Sequence, residues 1–395
     1  MNKLSIRDLN LKGKRVFIRV DFNVPLNHEG QIKNDTRIQA SLPTIRHAIA
    51  RQGRLVLASH LGRPNGKVNP KMSLRPVAEV LRKALNCRVR MASDCVGEAV
   101  KAASYNLRDG EVLLLENLRF HPQEETNDNV FSKQLAELCD CYVNDAFGSA
   151  HRAHASTVGM VKIVGNPAAG FLMEKELAYL GKAISAPDRP YVAILGGAKV
   201  SGKIEVIKNL MKIVDVLLIG GGMAYTFLKA QGLETGKSLV EREKIVLAGD
   251  LLRWAQEHNL ELILPADHFV ADRLDPKAQS QFVPVDQIPL NWMGVDIGPR
   301  TITQFEAKIA TAKTVLWNGP LGVFEIQPFS NGSLSIARAI AKSTGTSIVG
   351  GGDSIAAVTQ AGVADKISHL STGGGASLEL LGGLHLPGIE ALNNK

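Results

Sequence analysis

A chain of 395 residues, 45% hydrophobic and 21% charged, has room for two globular domains. It excludes a disordered tail, a collagen-like repeat and a disulfide-framework miniprotein. The formal charge of +8, from 46 Lys+Arg against 38 Asp+Glu, points to an anionic partner: nucleic acid, membrane surface or phosphorylated metabolite. Along the chain, Met1–Arg15 is interrupted by Lys3, Arg7, Asp8, Lys12 and Lys14, so it has no apolar signal-peptide core. No stretch approaches the ~20 apolar residues of a membrane helix, and a cytoplasmic protein is expected. Cys87, Cys95, Cys139 and Cys141 read as buried free thiols. The C-x-C pair Cys139/Cys141 lacks a second pair at zinc spacing.

Short apolar runs alternate with helical patterns throughout. Strands are expected at Val16–Val20, Leu55–Ser59, Val112–Leu115 and Cys141–Asn144, and then at Tyr191–Leu195, Val216–Ile219, Leu260–Leu264, Thr314–Trp317 and Thr346–Val349. Several are apolar on consecutive residues, as strands buried on both faces are. Helices are expected at Pro43–Arg51, Leu74–Leu85, Phe131–Leu138, Ser201–Val214, Glu243–His258 and Ser330–Ala341, with Ser73 and Ser330 as N-caps. The alternation predicts an α/β protein with mostly parallel sheets. Phe171–Ile184 reads as one helix, and the Pro-rich turn Ser185–Pro190 after it marks a mid-chain boundary. The expectation is two Rossmann-like lobes with parallel sheets, joined by a central helix and hinge.

The charge is lopsided. Residues 1–180 hold 26 Lys+Arg and 18 Asp+Glu, so the whole excess lies in the first half. There, basic residues follow strands: His60 and Arg63 in His60-Leu61-Gly62-Arg63, Arg119 in Asn117-Leu118-Arg119, Arg152 in His151-Arg152-Ala153-His154. Arg37 lies soon after Asp21-Phe22-Asn23. Ligands of parallel sheets collect at the carboxyl ends of strands, and guanidinium forks match phosphate and carboxylate oxygens. Any one of these arginines alone reads more readily as a surface ion-pair partner; repetition after four strands predicts a basic basin instead. His151 and His154 have no carboxylate cluster at ligand spacing to suggest a metal.

In the second half, glycine clusters follow strands: Gly196-Gly197, Gly220-Gly221-Gly222 and Gly350-Gly351-Gly352-Asp353-Ser354. Tight turns alone call for glycine. Three clusters at strand ends, each before a helical stretch, also predict a phosphate site. Gly197 to Lys203 nearly matches a P-loop, but Ile204 stands where the Mg²⁺-holding hydroxyl belongs. Lys199 and Lys203, four apart at a helix start, would share a face, as a solvated surface or a phosphate clamp. Asp353 fits either an N-cap or an oxygen ligand for Mg²⁺, and Glu325 either a ribose partner or a surface acid. A dehydrogenase lacks its G-x-G-x-x-G after the first strand. A nucleic-acid binder lacks basic runs, aromatic platforms and a recognisable module.

The segments RVDFNVP (Arg19–Pro25), DTRI (Asp35–Ile38), SHLGRP (Ser59–Pro64), LLENLRF (Leu114–Phe120), NDAFGSAHRAHAS (Asn144–Ser156), LGGAKVSGK (Leu195–Lys203), GGGMAYTFL (Gly220–Leu228), WNGPLGVFE (Trp317–Glu325), GGGDS (Gly350–Ser354) and STGGGASLELL (Ser371–Leu381) resemble the phosphoglycerate kinase family along the whole chain. The resemblance implies a cytoplasmic, monomeric glycolytic enzyme. It would interconvert 1,3-bisphosphoglycerate plus MgADP and 3-phosphoglycerate plus MgATP, with Mg²⁺ on the nucleotide and no membrane or nucleic-acid partner. It implies a phosphoglycerate-binding lobe at residues 1–170, with 380–395 packing back on it, an interdomain helix at 171–185 and a nucleotide-binding lobe at 186–379. By matching motifs, Asp21, Phe22, Asn23, Arg37, His60, Leu61, Gly62, Arg63, Arg119 and Arg152 would hold the phosphoglycerate. Lys199, Lys203, Gly222, Gly294, Glu325, Gly351, Gly352, Asp353 and Ser354 would hold the nucleotide, with Asp353 toward Mg²⁺. Arg37, Lys199 and Gly352 are expected to act on the transferred group. Gly202 stands where the family commonly has a polar or acidic residue, and Ser149 where it has Thr; neither removes a catalytic group.

Overall fold

Two six-stranded sheets, parallel at every pairing, carry the chain. The computed structural model describes residues 2–395. The chain divides into two compact units. One runs to Ala178 and includes His385–Lys395; the other is Tyr179–Leu384.

In the first unit the sheet order is Val89–Met91, Val112–Leu114, Arg54–Ala58, Arg15–Val20, Cys141–Asp145, Ala168–Ala169. Both faces are covered, which is why Val16, Phe17, Ile18 and Val20 are all buried although their side chains alternate. One face packs on the helix Thr36–Ala50 through Ile38, Leu42 and Ile45, and on the helix Arg75–Ala84 through Val77 and Leu81. Each such side chain contributes about 1.5–3 kcal/mol when fully buried. The first helix starts seven residues before the expected Pro43, which lies inside it. Proline inside a helix costs ~3 kcal/mol; burial of Ile38 and Leu42 on the N-terminal side offsets that. Ser330 takes its expected N-cap position without a side-chain cap bond, and Ser73 does not take its own. Leu74, not Ser73, is the N-cap, and Ser330, at its cap position, donates instead to the Gln327 carbonyl (2.8 Å).

The C-terminal stretch returns to this unit. Leu4 N–H donates to the Asn393 carbonyl (2.8 Å) and Gly388 N–H to the Ala150 carbonyl (2.8 Å), while Ile389 and Leu392 are buried. The return begins at His385. Residues 380–384, expected with the first lobe, belong to the second unit, where Asn209 Nδ2 donates to the Leu381 carbonyl (2.6 Å).

In the second unit the order is Glu261–Ile263, Val216–Ile219, Tyr191–Leu195, Thr314–Asn318, Thr346–Gly350, His369–Ser371. Counted along the chain this is 3-2-1-4-5-6, the doubly wound order whose switch point lies between Tyr191–Leu195 and Thr314–Asn318. A separate antiparallel sheet, Ser280–Pro284, Asp267–Ala271 and Met293–Ile297, was not expected from the sequence. Among the described residues no helix is long and apolar enough to cross a membrane. All four cysteines are free; Cys95 and Cys139 are buried, Cys87 and Cys141 half-buried.

Candidate functional site

In the first unit, parallel strands deliver their following loops to one sheet edge. Asp21, Phe22 and Asn23 follow Arg15–Val20; His60–Arg63 follow Arg54–Ala58; Arg119 lies in the turn Leu118–Phe120 after Val112–Leu114; Arg152 follows Cys141–Asp145. Arg37 comes from the first turn of its helix and pairs with Asp21 Oδ2 (2.5 Å). Asn23 Oδ1 accepts from Gly62 N–H (2.9 Å), and Arg119 donates to the Gly62 carbonyl (3.0 Å). Asn117 ties the same loops: its Nδ2 donates to the carbonyls of Leu61 and Met72, and its Oδ1 accepts from Leu61 and Arg119 N–H. Gly62 has φ +65° and its missing Cβ would lie 3.0 Å from Met72 Sδ, so this turn is built for glycine.

The basic groups feel one another. Burial holds His60 well below the ordinary histidine range, and the charges of Arg19, Arg119 and Arg37 add to the shift. Burial, then Arg19, Arg119 and Arg152, push His154 down to about 3. Both imidazoles are therefore neutral at pH 7, and an anion in the basin would relieve the like charges around them. Arg63 stands exposed beside it, with no ion pair among the described residues. Of the other basic residues of this half, Arg15 pairs with Asp140, and Arg88 and Arg90 pair with Glu111.

Sequence reasoning missed the groups beneath the basin. Arg19 is 1% exposed; its Nε donates to Ser156 Oγ (2.9 Å) and its Nη2 lies 3.2 Å from His60 Nδ1. Ser156 in turn donates through Oγ (2.5 Å) and N–H (2.9 Å) to Glu124, a fully buried carboxylate. Burial pushes Glu124 up, against the pull of Arg19 and Ser156. An arginine inside the apolar run RVFIRV was the available signal for Arg19; Glu124 had none.

In the second unit, the expected glycine turns gather at the switch point. Lys203 Nζ donates to the Gly196 and Asn318 carbonyls (2.7 Å each). An ammonium has three donors, so one remains for a ligand. Burial pushes Lys203 down to about 8, with Asp353 pulling the other way. Lys199 does not share a helix face with it. The helix does not begin until after the loop that carries Lys199, because Gly197 turns the chain with φ +101°; Lys199 is exposed and Lys203 points inward. Asn318 Nδ2 is buried with no hydrogen-bond partner among the described residues, and a Cβ on Gly351 would lie 3.3 Å from it. Gly351 has φ +92° and starts the helix Gly352–Gln360, with Asp353 in its first turn; Ser354 Oγ accepts from Gly319 N–H (2.7 Å).

Beside these turns lies a cavity of about 430 Å³. Gly222, Gly294, Glu325 and Asp353 line it, with Tyr225, Leu239, Met293, Leu321 and Val323 giving apolar walls. Lys199, Lys203, Gly351, Gly352 and Ser354 are not among its walls. Gly294, on the unexpected antiparallel sheet, is sterically required, since a Cβ there would fall 1.6 Å from Tyr225 Oη. That oxygen is 3.0 Å from His268 Nδ1.

The family model described as phosphoglycerate kinase matches residues 6–384. Phosphoglycerate kinases of Solibacter usitatus and Koribacter versatilis are 62% and 58% identical to the chain, over all of both sequences. Solved structures of the Coxiella burnetii and Pyrococcus horikoshii enzymes superpose with TM-scores of 0.90 and 0.85, at 44% and 34% identity, covering 98% of each chain.

Proposed function

The chain belongs to the phosphoglycerate kinase family, and on that premise we propose how its own residues divide the reaction between them. The enzyme is a kinase of glycolysis that moves a phosphoryl group reversibly between 1,3-bisphosphoglycerate and MgADP, giving 3-phosphoglycerate and MgATP. Its phosphoglycerate is held in the first unit by Arg37, Arg63, Arg119 and Arg152, with His60 neutral among them. Asp21, Asn23 and the turn Phe22, Leu61 and Gly62 fix the geometry. The nucleoside lies against Gly222 and Gly294, with Glu325 on the ribose and the phosphates toward Lys203 and the amides of Gly351, Gly352 and Ser354. The same reading makes the enzyme a cytoplasmic monomer with no membrane or nucleic-acid partner.

The observation that carries the nucleotide assignment is Asn318 Nδ2, a buried donor at the switch point with no partner among the described residues, beside the spare donor of Lys203. Two unspent donors beside the glycine turns at Gly319 and Gly351 fit an anion. Asp353, a carboxylate in the cavity wall next to that cradle, fits Mg²⁺, a hard cation that takes oxygen ligands. When bound, Mg²⁺ neutralises charge on the nucleotide phosphates. Arg37 from one unit and Lys199 from the other meet the charge on the equatorial oxygens, with the Gly352 amide. Lys199 is exposed and makes no ion pair among the described residues, so its reach is available for this. The two half-sites belong to different units, so transfer requires the units to bring them together, and both ligands favour that closure.

Two binding experiments test the nucleotide half. Phosphate favours charged Lys203, which in the free protein loses its proton near 8. MgADP affinity should therefore hold steady below about pH 8 and fall as pH rises toward 9.5, because the bound form must then recover a proton. Lys203→Met should bind more weakly and lose the inflection; a flat wild-type profile contradicts the role. Asp353→Asn should weaken MgADP on the order of tenfold while leaving metal-free ADP unchanged. Equal MgADP affinity in the variant removes Asp353 from the metal.

A further inference from the structure

Asp94, Cys95 and His121 form a compact set of oxygen, sulfur and nitrogen donors in the first unit that the phosphoryl transfer does not use. Asp94 and Cys95 follow the strand Val89–Met91, and His121 follows the turn Leu118–Phe120. Val89–Met91 pairs in parallel with Val112–Leu114, so both segments leave the same sheet edge. One ligand atom from each residue lies within 4.8 Å of the other two. His121 Nε2 is 2.7 Å from Asp94 Oδ1, and that oxygen also accepts from Cys95 N–H (2.6 Å). Cys95 is fully buried, whereas the Asp94 and His121 side chains are 48% and 29% exposed. The His121 ring rests on Phe131, with centroids 5.3 Å apart. Asp94 also lines a cavity of about 280 Å³ with Ser93, Arg75, Glu116 and Phe120; Cys95 and His121 are not in its walls.

We propose that Asp94 Oδ, Cys95 Sγ and His121 Nε2 bind one zinc-class divalent cation, with solvent at the fourth position. A carboxylate–histidine pair beside a thiol is also an ordinary hydrogen-bonded group. The converging sulfur is what distinguishes it, because thiolate with imidazole and carboxylate selects zinc over the oxygen-seeking Mg²⁺. With bonds of 2.0–2.3 Å, tetrahedral donors sit roughly 3.3–3.8 Å apart. The widest gap therefore has to close by about 1 Å, within the reach of side-chain torsions. On binding, Cys95 gives its thiol proton to solvent, His121 carries its ring proton on Nδ1 instead of Nε2, the Nε2–Asp94 hydrogen bond is exchanged, and the three metal–ligand bonds form with no change of oxidation state. The ion then clamps the Ser93–Cys95 turn to the segment that carries Arg119.

The test uses the full-length protein without a histidine tag, dialysed against buffered free Zn²⁺ with excess Mg²⁺ present, and bound zinc is measured by atomic emission. One zinc per chain is expected, unmoved by Mg²⁺. Cys95→Ser and His121→Gln should each raise the zinc Kd at least about tenfold; Cys139→Ser and Cys141→Ser should leave it unchanged. Co²⁺ in place of zinc should give a thiolate charge-transfer band in the wild-type protein that Cys95→Ser lacks. The proposal is overturned if no zinc is retained, or if Cys95→Ser and His121→Gln retain it as well as wild type does. Should the variants fail to fold, absence of the cobalt band in the wild-type protein overturns it alone.

Discussion

Arg37→Ala should lower kcat on the order of 10²–10³ with both substrates saturating, by comparison with loss of one donor to a developing oxyanion. Arg37 stands at the start of its helix, half-exposed, and its partner is Asp21 at 2.5 Å. That pair aims the guanidinium without burying it, so the fork remains open to a phosphoryl oxygen. On the proposed role the interaction is made mainly with charge that develops during transfer, so kcat should fall more than KM rises. Arg37→Lys should recover only part of the loss, since an ammonium keeps the charge but not the fork. A kcat within a few-fold of wild type in Arg37→Ala contradicts the assignment.

Glu124→Ala should destabilise the first unit by about 3–5 kcal/mol, the cost of leaving a buried charge without its partner. The carboxylate takes both Ser156 donors, and through Ser156 it answers the guanidinium of Arg19. Without it, Arg19 keeps its charge in a site closed to water, and Ser156 loses both acceptors. Glu124→Gln keeps the shape and one acceptor but turns an NH₂ toward a donor, and should cost about 1–3 kcal/mol. The two-unit chain need not unfold in one step, so the shift is to be read from the urea midpoint of the transition that involves the first unit. A change under about 1 kcal/mol for Glu124→Ala would show that the carboxylate does not balance Arg19.

These two predictions mark what the sequence made legible. A basic basin could be expected from it, because basic residues recur after apolar strands and parallel strands all end on one edge; Arg37, on a helix, joins that edge through its pair with Asp21. The strands themselves were readable where burial on both faces makes the apolar run continuous, as in YVAIL at Tyr191–Leu195. Val89–Met91, Ala168–Ala169 and His369–Ser371 are too short to show a pattern. The antiparallel sheet that presents Gly294 has one exposed strand, Ser280–Pro284, whose polar residues read as loop. Gly294 was reached only through family resemblance, and its physical reason, the Tyr225 hydroxyl, depends on a contact distant in sequence. Glu124 was invisible for the same reason: in a stretch reading PQEE, nothing separates the buried acid from its exposed neighbour Glu125. Lys199 and Lys203 were wrongly paired because spacing predicts a shared face only inside a helix, and the chain turns at Gly197 before the helix starts.

Some cations of the first half sit beside acids and some beside buried imidazoles, and Arg37 and Arg119, which pair with Asp21 and Glu125, do both. Arg15, Arg88 and Arg90 are answered by nearby acids. Arg119 and Arg152 act on the buried imidazole of His154, and Arg37 and Arg119 on that of His60, which is the arrangement an anion would relieve.

The central claim is that each unit holds one substrate at the ends of its own parallel strands. The most direct measurement is a crystal structure with 3-phosphoglycerate and MgADP bound together. The account predicts phosphoglycerate oxygens on Arg37, Arg63, Arg119 and Arg152, and the nucleoside against Gly222 and Gly294 with Lys203 and Asn318 Nδ2 turned toward phosphate. Phosphoglycerate bound away from those arginines, or a nucleotide seated outside the switch point of the second sheet, would contradict it.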